Sequence, residues 1–296
     1  MKKLLPLIPL LLLAACSWNR REAALTSEPS IERAFDLLLA SGEGRPLVKF
    51  LRKRPVRFEY SNTPGLCHKF SLKTGKIYLP PEYKASDKVL ALAVARAARI
   101  YQLFASTGLE ELISEEEEIA SLLQARLAVE LRLAPEDFAR VKAAGDPVRT
   151  SFCSYILGGT RYAMEQARKQ ALGADSDCQR PLDTVQNQRV WLEKIRKAVN
   201  ENNFYELLHD RDQLKVKRGV MTMSQAMKND ARVRALPSYE VYRYQRTFYD
   251  QQSDVVDKLE KARASELRRD SAWREARAAE LEQIREEFSD CELPVD

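Results

Sequence analysis

Histidine is almost absent from this chain: His68 and His209 are the only two in 296 residues. No pair of histidines one helical turn apart therefore exists to bind zinc, and no His-Glu-x-x-His segment occurs. Cys67 beside His68 does not form a thiolate–base pair, because adjacent residues on a strand point to opposite faces. The chain also lacks Gly-x-Ser-x-Gly, Walker and Gly-x-Gly-x-x-Gly segments. Hydrolase, nucleotide and dinucleotide chemistry thus lack their usual frameworks.

Glycine and long apolar runs are also scarce. The chain has 10 glycines, 31% charged residues and 45% hydrophobic residues, which indicates a helix-rich globular protein. Its apolar run at residues 4–13 is about half of the roughly 20 residues that a membrane-spanning helix needs. No later segment is long and uncharged enough to span. The length suits one large domain or two small ones.

The first sixteen residues have the organisation of an export signal. Two lysines precede the apolar run, and small residues precede Cys16. The segment Leu13-Ala14-Ala15-Cys16 resembles the lipobox of bacterial lipoproteins. This resemblance implies cleavage before Cys16 and acylation of Cys16, with several acyl chains giving stable anchoring where one would be marginal. In that family Ser17, which is not aspartate, implies the outer membrane facing the periplasm. The alternative is an ordinary cleaved signal followed by a coincidental cysteine.

The net charge bears on the partners. The formal charge of +5 falls by two when the signal and its two lysines are removed. So small an excess does not indicate nucleic acid, and export argues further against that partner. The expected partners are the membrane, through lipid on Cys16, and another envelope protein. No cofactor and no metal are expected.

Four cysteines remain once Cys16 is acylated: Cys67, Cys153, Cys178 and Cys291. An even number in an oxidising compartment predicts two disulfides, with three possible connectivities. A straight helix from Cys153 to Leu172 would separate its ends by about 28 Å and disfavour a Cys153–Cys178 bond. A break at Gly158-Gly159 would make that bond possible again. Cys291 could instead attach the end of the C-terminal helix to the body. A cysteine metal site is not expected, because no Cys-x-x-Cys pair occurs.

The order of elements predicts a mainly α protein with a small antiparallel β-sheet, an α+β fold. Helices are predicted over 30–40 and 46–53, and a buried helix begins after Ser86. Between them, a strand at 56–60 precedes a hairpin that pairs 69–72 with 76–79. The run Ser114-Glu115-Glu116-Glu117 indicates a capping box that opens a further helix, with acidic surface charge matching the helix dipole.

The segment Gly75-Lys76-Ile77-Tyr78-Leu79-Pro80, followed by the apolar residues 90–102, resembles the strand and active-site helix of zincin-type metallopeptidases. The resemblance covers roughly residues 30–140 and rests on element order. It implies a zincin-like domain in which Ala95, Arg96 and Arg99 replace the histidines and glutamate of the family motif. Arginine stays protonated and offers only hydrogen-bond donors, so it cannot replace a histidine ligand. Such a domain would be a degenerate, non-catalytic member.

Two interpretations of these arginines remain open. In one, Arg96 or Arg99 pairs with Glu117 or Glu118, so that an ion pair stands where a metal would bridge the two helices. In the other, both arginines reach solvent from a core helix, as long charged side chains do.

The second half is predicted to be helical, with helices over 155–172, 184–200 and 224–232. Residues 238–289 contain no proline or glycine and predict one long helix, with a candidate kink at 251–253. Its apolar seam is interrupted at Glu266 and Arg269, which favours packing on the chain's own body over a coiled coil.

The aromatic residues of this half admit two roles. Core packing is the expected role of Trp273, and contact with a partner is the alternative. Core and helix–helix packing is likewise expected for the aromatic cluster, with a glycan-binding platform as the alternative. The cluster comprises Tyr239, Tyr242, Tyr244, Phe248 and Tyr249.

The predicted organisation has five parts: a lipoprotein signal peptide at 1–15, a lipidated tether at 16–29, a zincin-like α+β domain at 30–145, a helical region at 146–236 and a long charged C-terminal helix at 237–291. The predicted function is a non-catalytic, lipid-anchored scaffold or binding module of the bacterial envelope. The alternative is an envelope hydrolase, peptidase-like or acting on peptidoglycan, with an unrecognised carboxylate site.

Overall fold

The computed structural model describes residues 25–61, 70–71, 75–108, 114–141, 145–173 and 184–293. Within these ranges the chain is mainly helical. The eleven described α-helices are α1 (Pro29–Ala40), α2 (Gly44–Lys53), α3 (Asp87–Thr107), α4 (Ser114–Glu130), α5 (Pro135–Ala139), α6 (Gly145–Gly173), α7 (Val185–Glu201), α8 (Phe204–Lys217), α9 (Met223–Arg234), α10 (Pro237–Ala276) and α11 (Ala278–Glu287).

The described strands are β1 (Arg57–Tyr60), β2 (Phe70–Ser71) and β3 (Lys76–Leu79), in the order β1-β3-β2. β1 pairs with β3 in parallel, with Phe58 opposite Ile77, whereas the two residues of β2 pair with β3 antiparallel. The predicted antiparallel sheet is therefore wrong. So is the predicted α+β class, because so small a sheet forms no layer of its own in a helical protein. The zincin-like fold expected from element order is not found.

α3 is the central helix of the body. The Ser86 side chain caps it by accepting a hydrogen bond from the Val89 amide, and Gly108 ends it in the left-handed conformation with φ 81°. By length and composition alone α3 could cross a membrane, contrary to the expectation that no segment after the apolar run at 4–13 could. Its residues from Val89 to Ala95 are all buried in the protein core, however, which is the position of a core helix.

One large core joins the two ends of the described chain. It contains Ile31 of α1 and Phe58 of β1 together with Trp273 of α10 and Phe288 just after α11. Residues on both sides of the predicted boundary at 145 therefore contribute to the same core. Phe138, Phe152 and Phe288 pack together at its C-terminal edge with ring centroids 5.2–6.1 Å apart; Phe138 stacks on Phe152, and Phe288 meets both edge to face.

α6 is interrupted at Gly159, whose φ of 79° and ψ of −176° are not helical. Such a conformation suits glycine, which has no Cβ. The break predicted at Gly158-Gly159 is thus present. It turns the chain so that Thr160 faces the long helix α10.

The long C-terminal helix ends earlier than predicted. α10 runs to Ala276, and Arg277, with φ −121° and ψ 23°, separates it from α11. The helix continues without interruption through the candidate kink at 251–253. The Arg277 guanidinium lies 4.5 Å from the Trp273 ring centre and 3.7 Å from the Glu130 carboxylate, so the break is fixed by contacts with the body.

Residues 184–252 form a helical arm made of α7, α8, α9 and the first part of α10. A second core cluster, including Leu103, Val185 and Leu259, attaches α7 and α10 to the body. A third small cluster of Val199, Tyr205 and Tyr242 holds the base of the α8–α9 hairpin. Beyond that base the hairpin has little core of its own.

Candidate functional site

The predicted ion pair between α3 and α4 is present as Arg96 with Glu117. Arg96 Nε and Nη2 both donate to Glu117 Oε2, at 2.9 and 2.7 Å. The charge of Glu117 is the main cause of the raised pKa of Arg96. Both side chains keep about a fifth of their surface exposed, 21% and 17%, so the pair lies at the edge of the helix interface. Arg96 fills the place between the two helices rather than leaving a cleft there.

Arg99 and Glu118 do not contact the predicted partners. Arg99 donates to Gln102 at 2.5 Å and to Glu266 of α10 at 2.9 Å. Glu118 accepts a hydrogen bond from Arg263 of α10 at 2.5 Å. Burial raises the pKa of Glu118, and the Arg263 hydrogen bond only partly offsets it. Arg99 and Glu118 therefore connect α3 and α4 to α10 and do not pair across the α3–α4 interface.

The centre of the charged network is Arg126 of α4, which is fully buried. Its Nε donates to Glu43 at 2.9 Å, its Nη1 donates to Asp270 at 2.8 Å, and its Nη2 donates to Glu266. A guanidinium offers five donors in a fixed plane, which is why one side chain can bind three carboxylates. Sequence reasoning missed this residue.

Further side chains complete the network, here called the Arg126 cluster: Glu43, Arg99, Arg126, Glu266, Arg269 and Asp270. Asp270 also accepts hydrogen bonds from the Tyr155 hydroxyl at 3.0 Å and the Thr160 hydroxyl at 2.6 Å. Arg269 donates to the second oxygen of Glu43 at 2.8 Å. Three arginines thus face three carboxylates, which balances the buried charge.

The pKa shifts in the cluster agree with tight pairing. Burial alone would raise the pKa of Glu266, but the charges of Arg126 and Arg99 outweigh it and hold that pKa below its ordinary value. Burial likewise opposes the charge of Arg126, yet Glu266 and Glu43 raise its pKa overall. Burial raises the pKa of Tyr155, so its hydroxyl stays protonated and donates to Asp270.

The Arg126 cluster connects distant parts of the chain. The cluster joins the start of α2, helix α4 and helix α10 across sequence separations of 83 to 226 residues. Each carboxylate in it is bound by at least one arginine. Across the described ranges, no group of three or more His, Cys, Asp or Glu side chains is placed to hold a metal ion.

The acidic run at the start of α4 is not the surface charge that its position predicts. Glu115 is buried, and both of its carboxylate oxygens accept the Val185 amide, at 3.1 and 3.2 Å. Val185 opens α7, so Glu115 caps that helix and offsets its positive end. The Glu115 carboxylate therefore helps to attach the arm to the body. The acidic helix-start pattern alone does not predict this contact.

One disulfide joins Cys153 of α6 to Cys291, with Cα atoms 5.6 Å apart. It attaches the segment after α11 to the body. Of the three possible connectivities, this bond leaves only the one that also pairs Cys67 with Cys178. Both of those cysteines, His68 and the proposed acylation site Cys16 lie outside the described residues.

The arm carries almost all of the exposed large hydrophobic side chains. In the described chain, every one except Leu293 lies between Val190 and Tyr244. Trp191 of α7 and Val241, Tyr244 and Phe248 of α10 form an aromatic face. Trp191 and Phe248 meet edge to face at 5.1 Å, and Tyr244 stacks on Phe248 at 6.2 Å. Tyr244 remains 70% exposed.

The predicted aromatic cluster is thus divided between two roles. Tyr242 is buried, and Tyr239 and Tyr249 are half-buried against core clusters, as packing residues are. Tyr244 is exposed and Phe248 half-buried, and these two belong to the aromatic face. Trp273 is buried in the main core.

A cleft of about 310 Å³ lies between α8 and α9. His209 and Asp230 face each other there, with His209 Nδ1 3.3 Å from an Asp230 oxygen. Asp212 accepts a hydrogen bond from Asn229 at 2.9 Å. No serine, threonine or cysteine lines this cleft, so His209 and Asp230 are not part of a Ser-, Thr- or Cys-based catalytic triad there.

Comparison of the chain with protein-family models, with curated protein sequences and with solved structures gave no match.

Proposed function

We propose that this protein is a non-catalytic, lipid-anchored binding module of the bacterial envelope. Acyl chains on Cys16 hold it at the membrane, the body forms a rigid base, and the arm binds another envelope protein. The observation that carries the proposal is the aromatic face on the arm. The exposed large apolar side chains are concentrated in one region, while the core of the body is well packed. Such a concentration indicates a binding surface in that region.

The composition of the aromatic face favours a protein partner. Aromatic side chains are enriched at the centres of protein interfaces, where they supply large apolar area at low entropic cost. Lys194 follows Trp191 at a spacing of three, on the same side of α7, and is exposed. Lys194 forms no ion pair with any described residue. The face therefore suits an apolar groove bordered by acidic side chains.

The space between α3 and α4, where the hydrolase alternative would place its active site, does not favour that alternative. The alternative required free carboxylates in a cleft between the helices that carry Ala95 and Glu117. Arg96 occupies that position and binds Glu117 with two hydrogen bonds. The buried carboxylates behind it are bound to Arg126. These contacts support a structural role for the charges between α3 and α4.

The anchor is tested by metabolic labelling with a radioactive fatty acid. We expect the label on the mature protein and its loss in Cys16→Ser, with the variant failing to be processed before residue 16. A mature protein that begins after a different residue and carries no label would contradict the lipid anchor while leaving the arm open to test.

The partner surface is tested by crosslinking in whole cells with a photoreactive amino acid. Placed at Tyr244, it should yield one dominant protein adduct, whereas placed at the exposed Lys261 on the same helix it should yield none. A Val241→Asp/Tyr244→Asp variant should weaken capture of that partner by at least about 2 kcal/mol, the size of an interface hot spot. Recovery of lipid and no protein from position 244 would overturn the proposal.

A further inference from the structure

The tip of the α8–α9 hairpin, residues 213–229, combines exposed apolar side chains with charges of one sign. Leu214, Val220, Met223 and Met227 are all exposed, Val220 by 75% and Met227 by 66%. The charged residues of the segment are Lys215, Lys217, Arg218 and Lys228, and it contains no aspartate or glutamate. This composition differs from the rest of the arm, where acidic and basic residues alternate.

Three of the four basic residues of the tip have no charged partner in the described chain, whereas the charge of Lys215 acts on Asp212. Lys217, Arg218 and Lys228 are exposed, and they form no ion pair anywhere in the described chain. Elsewhere on the arm most exposed arginines form ion pairs, as Arg189 does with Asp257 and Glu260, although Arg232 does not. Positive charges that form no ion pair and that surround exposed apolar side chains indicate a ligand with a negatively charged surface and an apolar interior.

The hairpin presents these residues at its end. Gly219, in the left-handed conformation with φ 71°, turns the chain between α8 and α9. The Thr222 side chain then caps α9 together with Gln225. The contacts that close the hairpin, Tyr205 with Tyr239 and Tyr242 and the Asp212–Asn229 hydrogen bond, lie toward its base. Val220 and Met223 therefore lie in and beside the turn.

We propose that the hairpin tip docks on an anionic phospholipid surface. Val220, Met221 and Met223 would enter the boundary between headgroups and acyl chains, while the basic side chains would contact lipid phosphates. Apolar side chains flanked by Lys and Arg are the composition of interfacial membrane-binding segments, whose affinity combines apolar burial with attraction to anionic lipid. The inference goes beyond the proposed protein partner, since it uses neither the aromatic face nor Cys16.

The test is hydrogen exchange, followed by mass spectrometry, on the full mature chain mixed with vesicles. Phosphatidylcholine vesicles containing phosphatidylglycerol should slow exchange in residues 213–229, and pure phosphatidylcholine vesicles should not. Added salt should reduce the protection because it screens the charges. An acyl anchor would attach the chain to both kinds of vesicle, so only the difference between them reports the tip.

Two variants separate the contributions. Lys217→Glu/Arg218→Glu should raise the lipid concentration needed for protection by at least about 25-fold. This corresponds to about fivefold for each basic residue lost. Val220→Asp should abolish it with the charges intact. The control is Lys261→Glu/Arg268→Glu, which makes the same charge change at two exposed residues of α10 that form no ion pair with any described residue. The far-ultraviolet circular dichroism of all three should match the wild type.

Four results would overturn the proposal. They are equal protection by both vesicle types, no protection by either, equal losses in the tip and control variants, and protection that appears without vesicles as protein concentration rises. The last result would assign the tip to a second copy of the chain.

Discussion

At the scale of single residues, the body is held together by a buried arginine. Arg126 binds Glu43, Glu266 and Asp270, which come from distant parts of the chain. A buried ion network of this kind gives little net stability over a well-packed apolar core, but it is costly to break. Its value here is positional, because the three carboxylates bind this guanidinium only when α10 lies in one register against α4.

Replacing Arg126 with methionine should destabilise the protein by about 3–5 kcal/mol, because three buried carboxylates lose their main cation. Urea unfolding followed by circular dichroism measures the change. Arg268→Met is the matched control, since Arg268 is exposed on α10 and should alter the free energy of unfolding by no more than about 0.5 kcal/mol. Equal effects of the two substitutions would show that the cluster does not hold α10.

Glu266 gives the cluster a pH dependence. Its pKa in the folded protein lies below the ordinary value of 4.5. A depressed carboxyl pKa contributes stability that is present above the unfolded pKa and is lost as the pH falls through the folded pKa. We therefore expect the free energy of unfolding to decline below about pH 4.5, and to decline less steeply in Glu266→Gln. An identical acid limb in the two proteins would assign acid unfolding to other groups.

The charged residues that interrupt the apolar seam of α10 are a sequence signal for this cluster. Glu266 and Arg269 interrupt the apolar seam of α10, and from the sequence alone this interruption argues only against a coiled coil. In the structure these interruptions are ion-pair partners of Arg126 and Glu43. Arg126 itself stands in the apolar run 119–129, where a charge requires a buried counter-ion. No sequence rule says which distant carboxylates supply it.

At the scale of elements, local sequence signals predicted the helices, whereas the direction in which the strands pair depends on tertiary contacts. The Ser86 cap and the Gly159 break depend on neighbouring residues and were predictable. The turn that the sequence predicts before β3 constrains only β2, which does pair antiparallel. β1 is joined to β3 by a long connection, and a connection of a dozen or more residues permits parallel pairing. Its direction was therefore open, and the antiparallel prediction was wrong.

The disulfide belongs to this scale because it ends the last helix. Cys153→Ser/Cys291→Ser should cost roughly 2–5 kcal/mol, as expected for a bond closing a long loop. The loss should be local at first, with faster hydrogen exchange in α11 and little change in α3. Reductant should speed exchange in α11 of the wild type, whereas the double variant should show no further change there. Unchanged exchange in α11 of the variant would mean that Phe288 and its aromatic neighbours suffice to hold the helix.

At the scale of the whole molecule, the chain has a strongly packed body and a sparsely packed arm. The body buries most of α3 and α4, and the Arg126 cluster and the disulfide both attach its C-terminal helices. Within the α8–α9 hairpin only Tyr205, Asp212 and Ala226 are buried. The surfaces proposed to meet a protein and a lipid both lie on the arm. This division suits a module in which a stable base presents an adaptable surface.

The same division predicts how the molecule opens. Regions with few buried apolar contacts open by local unfolding at lower free energy than the global transition. Amides of α8 and α9 should therefore exchange through openings several kcal/mol below those of α3 and α4, and limited proteolysis should cut first between residues 204 and 236. The first cleavage should leave the disulfide-bonded body intact, since Arg126 and Cys291 hold α10 and α11 in place without the hairpin. Docking on anionic vesicles should slow that cleavage in the wild type and not in Lys217→Glu/Arg218→Glu. Cleavage that begins in α3 or α4, or equal protection of arm and body, would contradict this arrangement.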